Sequence, residues 1–145
     1  PLIRAVKEKI NPKKTAILDA PPGASCPVIN TVTGSDFIML VTEPTPFGLH
    51  DLSIAVDAVA PLGIPMGVVI NRSDIGDKEV GRFCARLGIP LLAEIPHDRG
   101  IAEGYSKGRL LVASAPHYIK TFLELFGTVG ELSRRPKSGL KEAVS

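Results

Sequence analysis

Residues 66–74 have the sequence Met66-Gly67-Val68-Val69-Ile70-Asn71-Arg72-Ser73-Asp74, in which an apolar run is followed directly by four polar residues. A continuous apolar run of this length, bounded by turn-forming residues, is typical of a strand that is buried on both faces of a sheet. The same pattern occurs at 15–18, 37–41 and 91–95, and a shorter apolar run lies at 110–112. The sequence therefore predicts five strands, four of which are followed by polar residues.

Segments with helical periodicity separate these strands. Leu49, Leu52 and Val56 recur at the spacing of one helix face, which predicts a helix over 48–60. This helix and the one predicted at 80–87 end in the same order of residues, Leu-Gly-Ile-Pro, where glycine permits a left-handed turn and proline prevents continuation. Further helices are predicted at 2–10, 26–33, 98–106 and 116–126.

The alternation of strands and helices decides the fold class. Strands that alternate with helices form parallel sheets, and their right-handed crossovers place the helices on the faces of the sheet. The sequence therefore predicts an α/β fold, a mostly parallel sheet flanked by helices on both faces in a Rossmann-like, three-layer arrangement. One domain would span 1–130, and the polar, basic residues 131–145 would form a mobile tail.

Composition limits the classes of function. The chain has 145 residues, the length of one domain, and its formal net charge of +2 is too small to indicate a nucleic-acid partner. No apolar run approaches the roughly 18 residues that a membrane span needs. Two cysteines, Cys26 and Cys84, lie far apart, which favours a reduced, cytoplasmic setting over a metal framework. The sequence starts at Pro1 without a signal peptide, so we expect a processed product or a fragment.

Polar residues at the strand ends are the candidate functional residues. In open parallel sheets, ligands bind beyond the carboxyl ends of the strands, so Asp19, Glu43, Asn71 and Pro96 are expected to converge there. A carboxylate such as Asp19 can hold Mg²⁺ on nucleotide phosphates, often through water. It can equally cap a turn or the next helix, and this pattern favours neither interpretation.

The other strand ends also allow two interpretations each. Asn71 offers both a donor and an acceptor to a purine edge, although a turn-forming role is more common for such a residue. The segment at 96–98 can present backbone groups to the same base, or only begin a helix with Asp98 as its N-cap. Glu43, which Pro44 and Pro46 follow, is a fixed site residue or a loop charge. Neither G-x-x-x-x-G-K-[ST] nor G-x-G-x-x-G occurs, so no recognisable phosphate-binding loop is present.

An ordered series of short motifs resembles one known family. The series lies at 17–23, 25–29, 41–45, 48–52, 69–74 and 95–98, and begins with Ile-Leu-Asp-Ala-Pro-Pro-Gly. It resembles the MinD/ParA/Mrp group of P-loop ATPases, most closely the MinD-superfamily ATPases with an inserted ferredoxin domain. The similarity covers roughly 15–111, and the ordered series is more specific than any single motif.

This resemblance implies roles for individual residues. Asp19 would act in catalysis by orienting a Mg²⁺-bound water, and Asn71 would read the adenine of ATP while Pro96 packs on it. The segment at 43–51 would form a switch that faces a dimer partner or an electron-transfer partner. The residues implied to bind the nucleotide are Pro22, Gly23, Glu43, Asn71, Arg72, Pro96 and Asp98.

The resemblance also identifies what this sequence lacks. Family members begin with a lysine-containing phosphate loop, followed by an insertion whose cysteines hold two iron–sulfur clusters, and neither occurs here. The chain is therefore similar to the C-terminal half of such an ATPase, and we expect it to be inactive alone. In the family the strand with the phosphate loop lies in mid-sheet, so its loss would expose a strand edge to the missing N-terminal half or to a second copy.

Two other functions remain open at this stage. A non-catalytic interaction module would keep the fold and bind a partner through the exposed edge. A flavodoxin-like domain would bind flavin mononucleotide at the same end of the sheet. The flavin alternative is weaker, because no Ser/Thr-rich phosphate loop follows the first predicted strand.

Overall fold

The structure, a computed structural model, describes residues 2–134. Its strands are β1 (Ile38–Thr42), β2 (Met66–Asn71) and β3 (Leu91–Ile95). Its α-helices are α1 (Leu2–Lys7), α2 (Cys26–Val32), α3 (Pro46–Val59), α4 (Glu79–Leu87), α5 (Arg99–Ser106), α6 (Leu111–Ser114) and α7 (Ile119–Leu132). Two 3-10 helices, Ala60–Leu62 and Pro116–Tyr118, adjoin α3 and α7.

The three strands form one parallel sheet in the order β1-β2-β3. Helix α3 connects β1 to β2, and α4 connects β2 to β3, which is the alternation that the sequence predicts. The glycines that end these two crossovers, Gly63 and Gly88, have φ angles of 62° and 66°. Both are therefore left-handed turns that glycine adopts without the steric cost of a Cβ atom.

The main core lies on one face of the sheet. Val68 of the central strand is completely inaccessible to solvent, and Ile38 and Ile70 point to the same side. Helix α3 and helix α4 cover this face with a set of buried side chains: Leu52, Val56, Val59, Val80 and Cys84. Each fully buried aliphatic side chain contributes about 1.5–3 kcal/mol, so this face carries much of the stability.

The opposite face is only partly covered. Val69 of β2 is buried, and α7 packs against the neighbouring strand β3. Met39 and Val41 of β1 lie on this second face because they pair in register with Gly67 and Val69. They are 42% and 63% exposed, so the β1 side of this face is open to solvent.

Two predicted strands are wrong. Residues 15–18 form no strand, Ile17 is 90% exposed, and no backbone hydrogen bond joins 15–24 to the described residues. A strand needs a neighbour for its backbone groups, and none is available to this segment. The apolar run at 110–112 instead enters α6, where the N–H of Ala115 donates to the carbonyl oxygen of Leu111 at 2.7 Å.

The last helix is longer than predicted. Helix α7 extends to Leu132, so the first residues of the predicted tail, including Glu131, are helical. The rest of that tail, 135–145, lies outside the described residues. Among the helices that the structure describes, none combines the length and the apolar character needed to cross a membrane.

Candidate functional site at the carboxyl ends of the strands

Three of the four predicted strand ends meet at one edge of the sheet. Asn71 is the last residue of β2, and Glu43 and Pro96 directly follow β1 and β3. Because the three strands are parallel, these residues lie at the same end of the sheet. Arg72 joins two of these loops, with its Nη1 atom 3.6 Å from Oε1 of Glu43. Both side chains are partly exposed, so solvent screens the ion pair and it serves mainly to orient them. We call this edge, formed by residues 43, 71–74 and 96–98, the carboxyl rim.

Hydrogen bonds between two threonine side chains and the backbone hold the loop after β1. Oγ1 of Thr42 donates to the carbonyl oxygen of Gly48 at 2.8 Å, and Oγ1 of Thr45 accepts from the N–H of Gly48 at 3.0 Å as the N-cap of α3. A Cβ atom at Gly48 would lie 2.2 Å from the carbonyl oxygen of Glu43. Only glycine fits there, and this contact fixes the position of Glu43 at the rim.

The loops after β1 and β2 also touch each other. Pro44 is fully buried, and its carbonyl oxygen accepts a hydrogen bond from the N–H of Asp77 at 3.3 Å. A Cβ atom on Gly76, whose φ angle is 145°, would lie 1.7 Å from that same oxygen. Glycine at this position therefore permits the close approach of the two loops.

Asp74 connects the ends of β2 and β3. Its Oδ1 atom accepts a hydrogen bond from the N–H of His97 at 2.5 Å. This bond holds the pKa of Asp74 below its ordinary value, because it favours the carboxylate form. The N–H of Ser73 also donates to the carbonyl oxygen of Ile95 at 3.0 Å, so the two loops are joined twice.

The two carboxylate oxygens of Asp98 contact different groups. Its Oδ1 atom caps α5 by accepting from the N–H groups of Gly100 and Ile101 at 2.7 and 3.3 Å. Its Oδ2 atom lies 3.2 Å from Nε2 of His117. Next to this pair, burial raises the pKa of Tyr118, and the carboxylates of Asp98 and Asp74 add to the rise. The structure therefore places Asp98 in the N-cap position, the second of the two roles that the sequence allows.

The rim presents exposed polar groups suited to a flat base. Asn71, the last residue of β2, and Pro96, which follows β3, are both exposed. Within the described residues the side chain of Asn71 makes no hydrogen bond, so its amide is free to meet a ligand with both a donor and an acceptor.

The residues predicted to lie near the phosphates and magnesium are not joined to the rim. Asp19, Pro22 and Gly23 lie in the segment that precedes α2, and in the described part of the chain no hydrogen bond or ion pair links them to the rim. Asp19 therefore does not follow a strand, because the segment before it is unpaired. The positive charge at the rim, Arg72, already faces Glu43. The described residues do not fit a triphosphate, so no hydrolytic step is derived from them.

Three other features lie away from the predicted site. No group of three or more His, Cys, Asp or Glu side chains within 2–134 is arranged to hold a metal ion. Cys26 is exposed and Cys84 is buried, both as free thiols. A cavity of about 710 Å³, lined by residues 105 and 108–111, contains none of the predicted site residues.

Some rim residues were not predicted from the sequence. Asp74 and His97 bond across loops that are 23 residues apart in the chain, and no local pattern signals such a contact. Outside the rim, His117 lies beside Asp98, a contact that no local sequence pattern indicates. The loop after β2 contains Gly76 and is rich in glycine and aspartate. This composition is typical of turns, so a turn at Gly76 could have been predicted.

The comparisons with known proteins agree with the broad family resemblance. The chain is 36% identical over 92 residues to an uncharacterized protein of Methanocaldococcus jannaschii, covering 63% of this chain and 31% of that protein. It is 29% identical over 126 residues to a protein of Aquifex aeolicus named iron-sulfur cluster carrier protein, covering 75% of this chain and 35% of that protein. No family model matches the sequence. The chain thus spans about a third of the length of both relatives.

Proposed function

We propose that this chain is the C-terminal portion of an ATP-binding domain of the MinD/ParA type of P-loop ATPase. The observation that carries the proposal is the carboxyl rim, where Glu43, Asn71 and Pro96 lie at the carboxyl ends of three parallel strands. Open parallel sheets bind nucleotides at this edge. The distant similarity to an iron-sulfur cluster carrier protein supports the same family.

Asn71 is the proposed adenine-reading residue. Its exposed amide can accept from and donate to the edge of a purine, and the exposed ring of Pro96 offers an apolar surface for the base to pack on. Asp98 is held as the cap of α5, so its role would be to fix the direction of that loop. The pair formed by Glu43 and Arg72 would form the boundary of the base-binding site on the side of β1.

The magnesium and phosphate side belongs to the complete domain. Asp19 is proposed to orient a Mg²⁺-bound water there, with Pro22 and Gly23 shaping the turn beside it. The φ angle of Gly23 is 90°, a conformation that suits a tight turn. A lysine-containing phosphate loop would have to come from additional polypeptide, so this chain alone is proposed to be inactive as an ATPase.

In the complete protein, hydrolysis would drive a conformational change that serves iron–sulfur chemistry or electron transfer in the cytoplasm. Any iron–sulfur clusters are proposed to be bound by additional polypeptide. Within residues 2–134, no group of three or more His, Cys, Asp or Glu side chains is arranged to hold a metal ion. The segment at 43–51 is proposed to face a dimer or redox partner. Phe47, at the start of α3, is 84% exposed beside the rim and suits such a contact.

The alternative is a non-catalytic interaction module, and exposed Phe47 is the observation that favours it. A module of this kind would use the same surface without nucleotide. The two functions differ in whether adenosine binds at Asn71.

Amide chemical shifts of the isolated chain, followed during titration with adenosine and with guanosine, test the proposal. We expect adenosine to shift the resonances of Asn71, His97 and Asp98 and guanosine to shift them less. Asn71→Ala should weaken adenosine binding about ten-fold, which is about 1.4 kcal/mol. Asn30→Ala, at an exposed position on α2, is the matched control and should leave binding unchanged. If adenosine shifts no rim resonance while the chain stays folded, the nucleotide function is wrong.

A further inference from the structure

The end of α5 and the turn that follows it form an open cleft away from the carboxyl rim. This cleft has a volume of about 710 Å³ and is lined by Tyr105, Gly108, Arg109, Leu110 and Leu111. Clefts that bind small molecules typically measure about 300–1,000 Å³ and combine apolar walls with a few polar groups. This cleft has the same size and composition, because the tyrosine and the two leucines supply apolar surface and the arginine supplies one charge.

Backbone hydrogen bonds fix the turn that forms the cleft. The carbonyl oxygen of Gly104 accepts from the N–H groups of Lys107 and Arg109 at 3.1 and 2.9 Å. That of Tyr105 accepts from the N–H of Gly108 at 2.9 Å, and the φ angle of Gly108 is 66°, a left-handed conformation common at helix ends. The backbone itself therefore satisfies these last carbonyl groups of α5, and the guanidinium of Arg109 is not needed to cap them.

The two walls of the cleft are held together by a close contact between helices. A Cβ atom at Gly104 would lie 2.0 Å from Oγ of Ser114, so glycine lets α5 and α6 pack directly against each other. Tyr105 belongs to α5 and Leu111 begins α6, so this contact sets the distance between the walls. The cleft is therefore formed before any ligand arrives, which lowers the cost of binding.

The charge of the cleft is not balanced by a carboxylate. Within residues 2–134, Arg109 forms no ion pair, and the stretch 104–123 contains no Asp or Glu. Glu103, the carboxylate that precedes this stretch, already pairs with Arg99 at 3.0 Å. A guanidinium presents its N–H groups in a fixed fork that matches the two oxygens of a carboxylate. The cleft is therefore complementary to an anion.

The apolar part of the cleft is open to solvent. Tyr105 and Leu110 are 83% and 74% exposed, and both lie beside Arg109. Tyrosine and arginine are among the residue types most enriched at contacts that carry binding energy. An occupant that fits this cleft therefore has an apolar body next to its charged group.

We propose that this cleft binds a small organic anion in which one carboxylate is joined to an apolar, aromatic body. The carboxylate accepts hydrogen bonds from the guanidinium of Arg109, and the body packs between the ring of Tyr105 and the two leucines. One arginine matches the single charge of a carboxylate. A peptide fits less well, because its backbone needs partners and the N–H groups of residues 107–109 are already bonded within the turn. The proposal does not depend on nucleotide binding, since the cleft contains no residue of the carboxyl rim.

Hydrocinnamate, a phenyl ring on a short chain that ends in a carboxylate, is the probe. Amide chemical shifts of the isolated chain during titration should give a dissociation constant on the order of 1 mM, because the ion pair is partly exposed and the apolar body is small. We expect the resonances of Gly108, Leu110 and Leu111 to shift and those of Asn71 and His97 to stay unchanged. The neutral amide of the same compound, and inorganic phosphate, should each bind about five-fold more weakly or less.

Three variants separate the charge from the apolar surface. Arg109→Met keeps the aliphatic stem and removes the charge, so it should weaken hydrocinnamate binding about five-fold and leave binding of the neutral amide unchanged. Tyr105→Ser should weaken the binding of both compounds, because both carry the phenyl ring. Arg4→Met, at an exposed position on α1, is the matched control and should change neither affinity.

Four results would overturn the proposal. Equal binding of hydrocinnamate and its neutral amide to the unmodified chain would show that the cleft does not recognise charge, whatever the variants do. Equal binding of inorganic phosphate would show that the apolar body is not recognised. Shifts at Asn71 and His97 in place of the cleft would assign the anion to the rim. Tighter binding of an acidic, phenylalanine-containing peptide at Leu110 and Leu111 would assign the cleft to a protein partner.

Discussion

The side chain of Asp74 and the backbone of His97 join the ends of two neighbouring strands, since Oδ1 of Asp74 accepts a hydrogen bond from the N–H of His97 at 2.5 Å. Asp74 is exposed, and its contact with His97 adds to the Ser73–Ile95 hydrogen bond in joining the loop after β2 to the end of β3. The proposed base-reading residue Asn71 immediately precedes the first of these loops, and Pro96 lies in the second. The geometry of the rim therefore depends on a carboxylate that need not touch a ligand itself.

Removing this carboxylate should destabilise the chain in a pH-dependent way. The hydrogen bond from His97 lowers the pKa of Asp74 in the folded state. Its contribution to stability is therefore fully present above pH 3.8, the pKa of an ordinary Asp side chain in the unfolded chain. The contribution is lost as the pH falls through the folded pKa. At pH 7 the Asp74→Ala variant should therefore unfold at a lower urea concentration than the unmodified chain. The difference between the two midpoints should shrink below about pH 3.8.

Asp57→Ala is the control for this experiment. Asp57 is exposed on α3 and, within the described residues, its side chain takes part in no hydrogen bond or ion pair. Its substitution should leave the pH profile of urea unfolding parallel to that of the unmodified chain. A pH-independent loss of stability in Asp74→Ala would show that the hydrogen bond to His97 is not the cause.

Substitution of two helical glycines by alanine should change the stability of the chain in opposite directions. A Cβ atom at Gly48 would lie 2.2 Å from the carbonyl oxygen of Glu43, whereas a Cβ atom at Gly81 meets nothing within 4 Å. Gly48→Ala should cost about 1–3 kcal/mol, because the loop after β1 must move. Gly81→Ala should stabilise α4 by about 0.5–1 kcal/mol. Urea denaturation measures both, and equal effects would contradict the contact at Gly48.

Much of the fold could be predicted because its signals are local. The apolar runs of β1, β2 and β3 and the glycines Gly63 and Gly88 each act within a few residues, and the structure confirms them. The run at 15–18 has the same local pattern and forms no strand. Its backbone has no neighbour to bond, and an apolar run does not show whether a neighbour exists.

The candidate site divides in the same way. That Glu43, Asn71 and Pro96 share one edge follows from the parallel order of the strands, so the sequence was sufficient to predict it. The contact of Asp74 with His97 could not be predicted, because it depends on side-chain geometry between loops that are distant in the chain. Whether Asp19 acts on a metal-bound water stays a prediction.

Asp98 and His117 should contribute unequally to stability although their side chains contact each other. Asp98 also caps α5 through two backbone N–H groups, and loss of an N-cap costs about 0.5–2 kcal/mol. The side chain of His117 is 65% exposed, so its share of the pair should be under about 1 kcal/mol. Guanidinium unfolding at neutral pH should show Asp98→Ala to be clearly less stable than His117→Ala. Equal losses would mean that the contact between Asp98 and His117, rather than the cap, holds this loop.

The two thiols should differ sharply in their reactivity towards iodoacetamide. Cys26 is exposed, whereas Cys84 lies in the core between α4 and the sheet, where burial raises the pKa of its thiol and disfavours the reactive thiolate. Mass spectrometry should therefore find one label per chain in native buffer, on Cys26, and a second label only after denaturation. Cys26→Ser is the control, and native protein of this variant should take up label at least ten-fold more slowly than the unmodified chain. Rapid labelling of Cys84 in the folded variant would show that the core between the sheet and helices α3 and α4 opens readily. The packing described for Val68 and its neighbours would then be wrong.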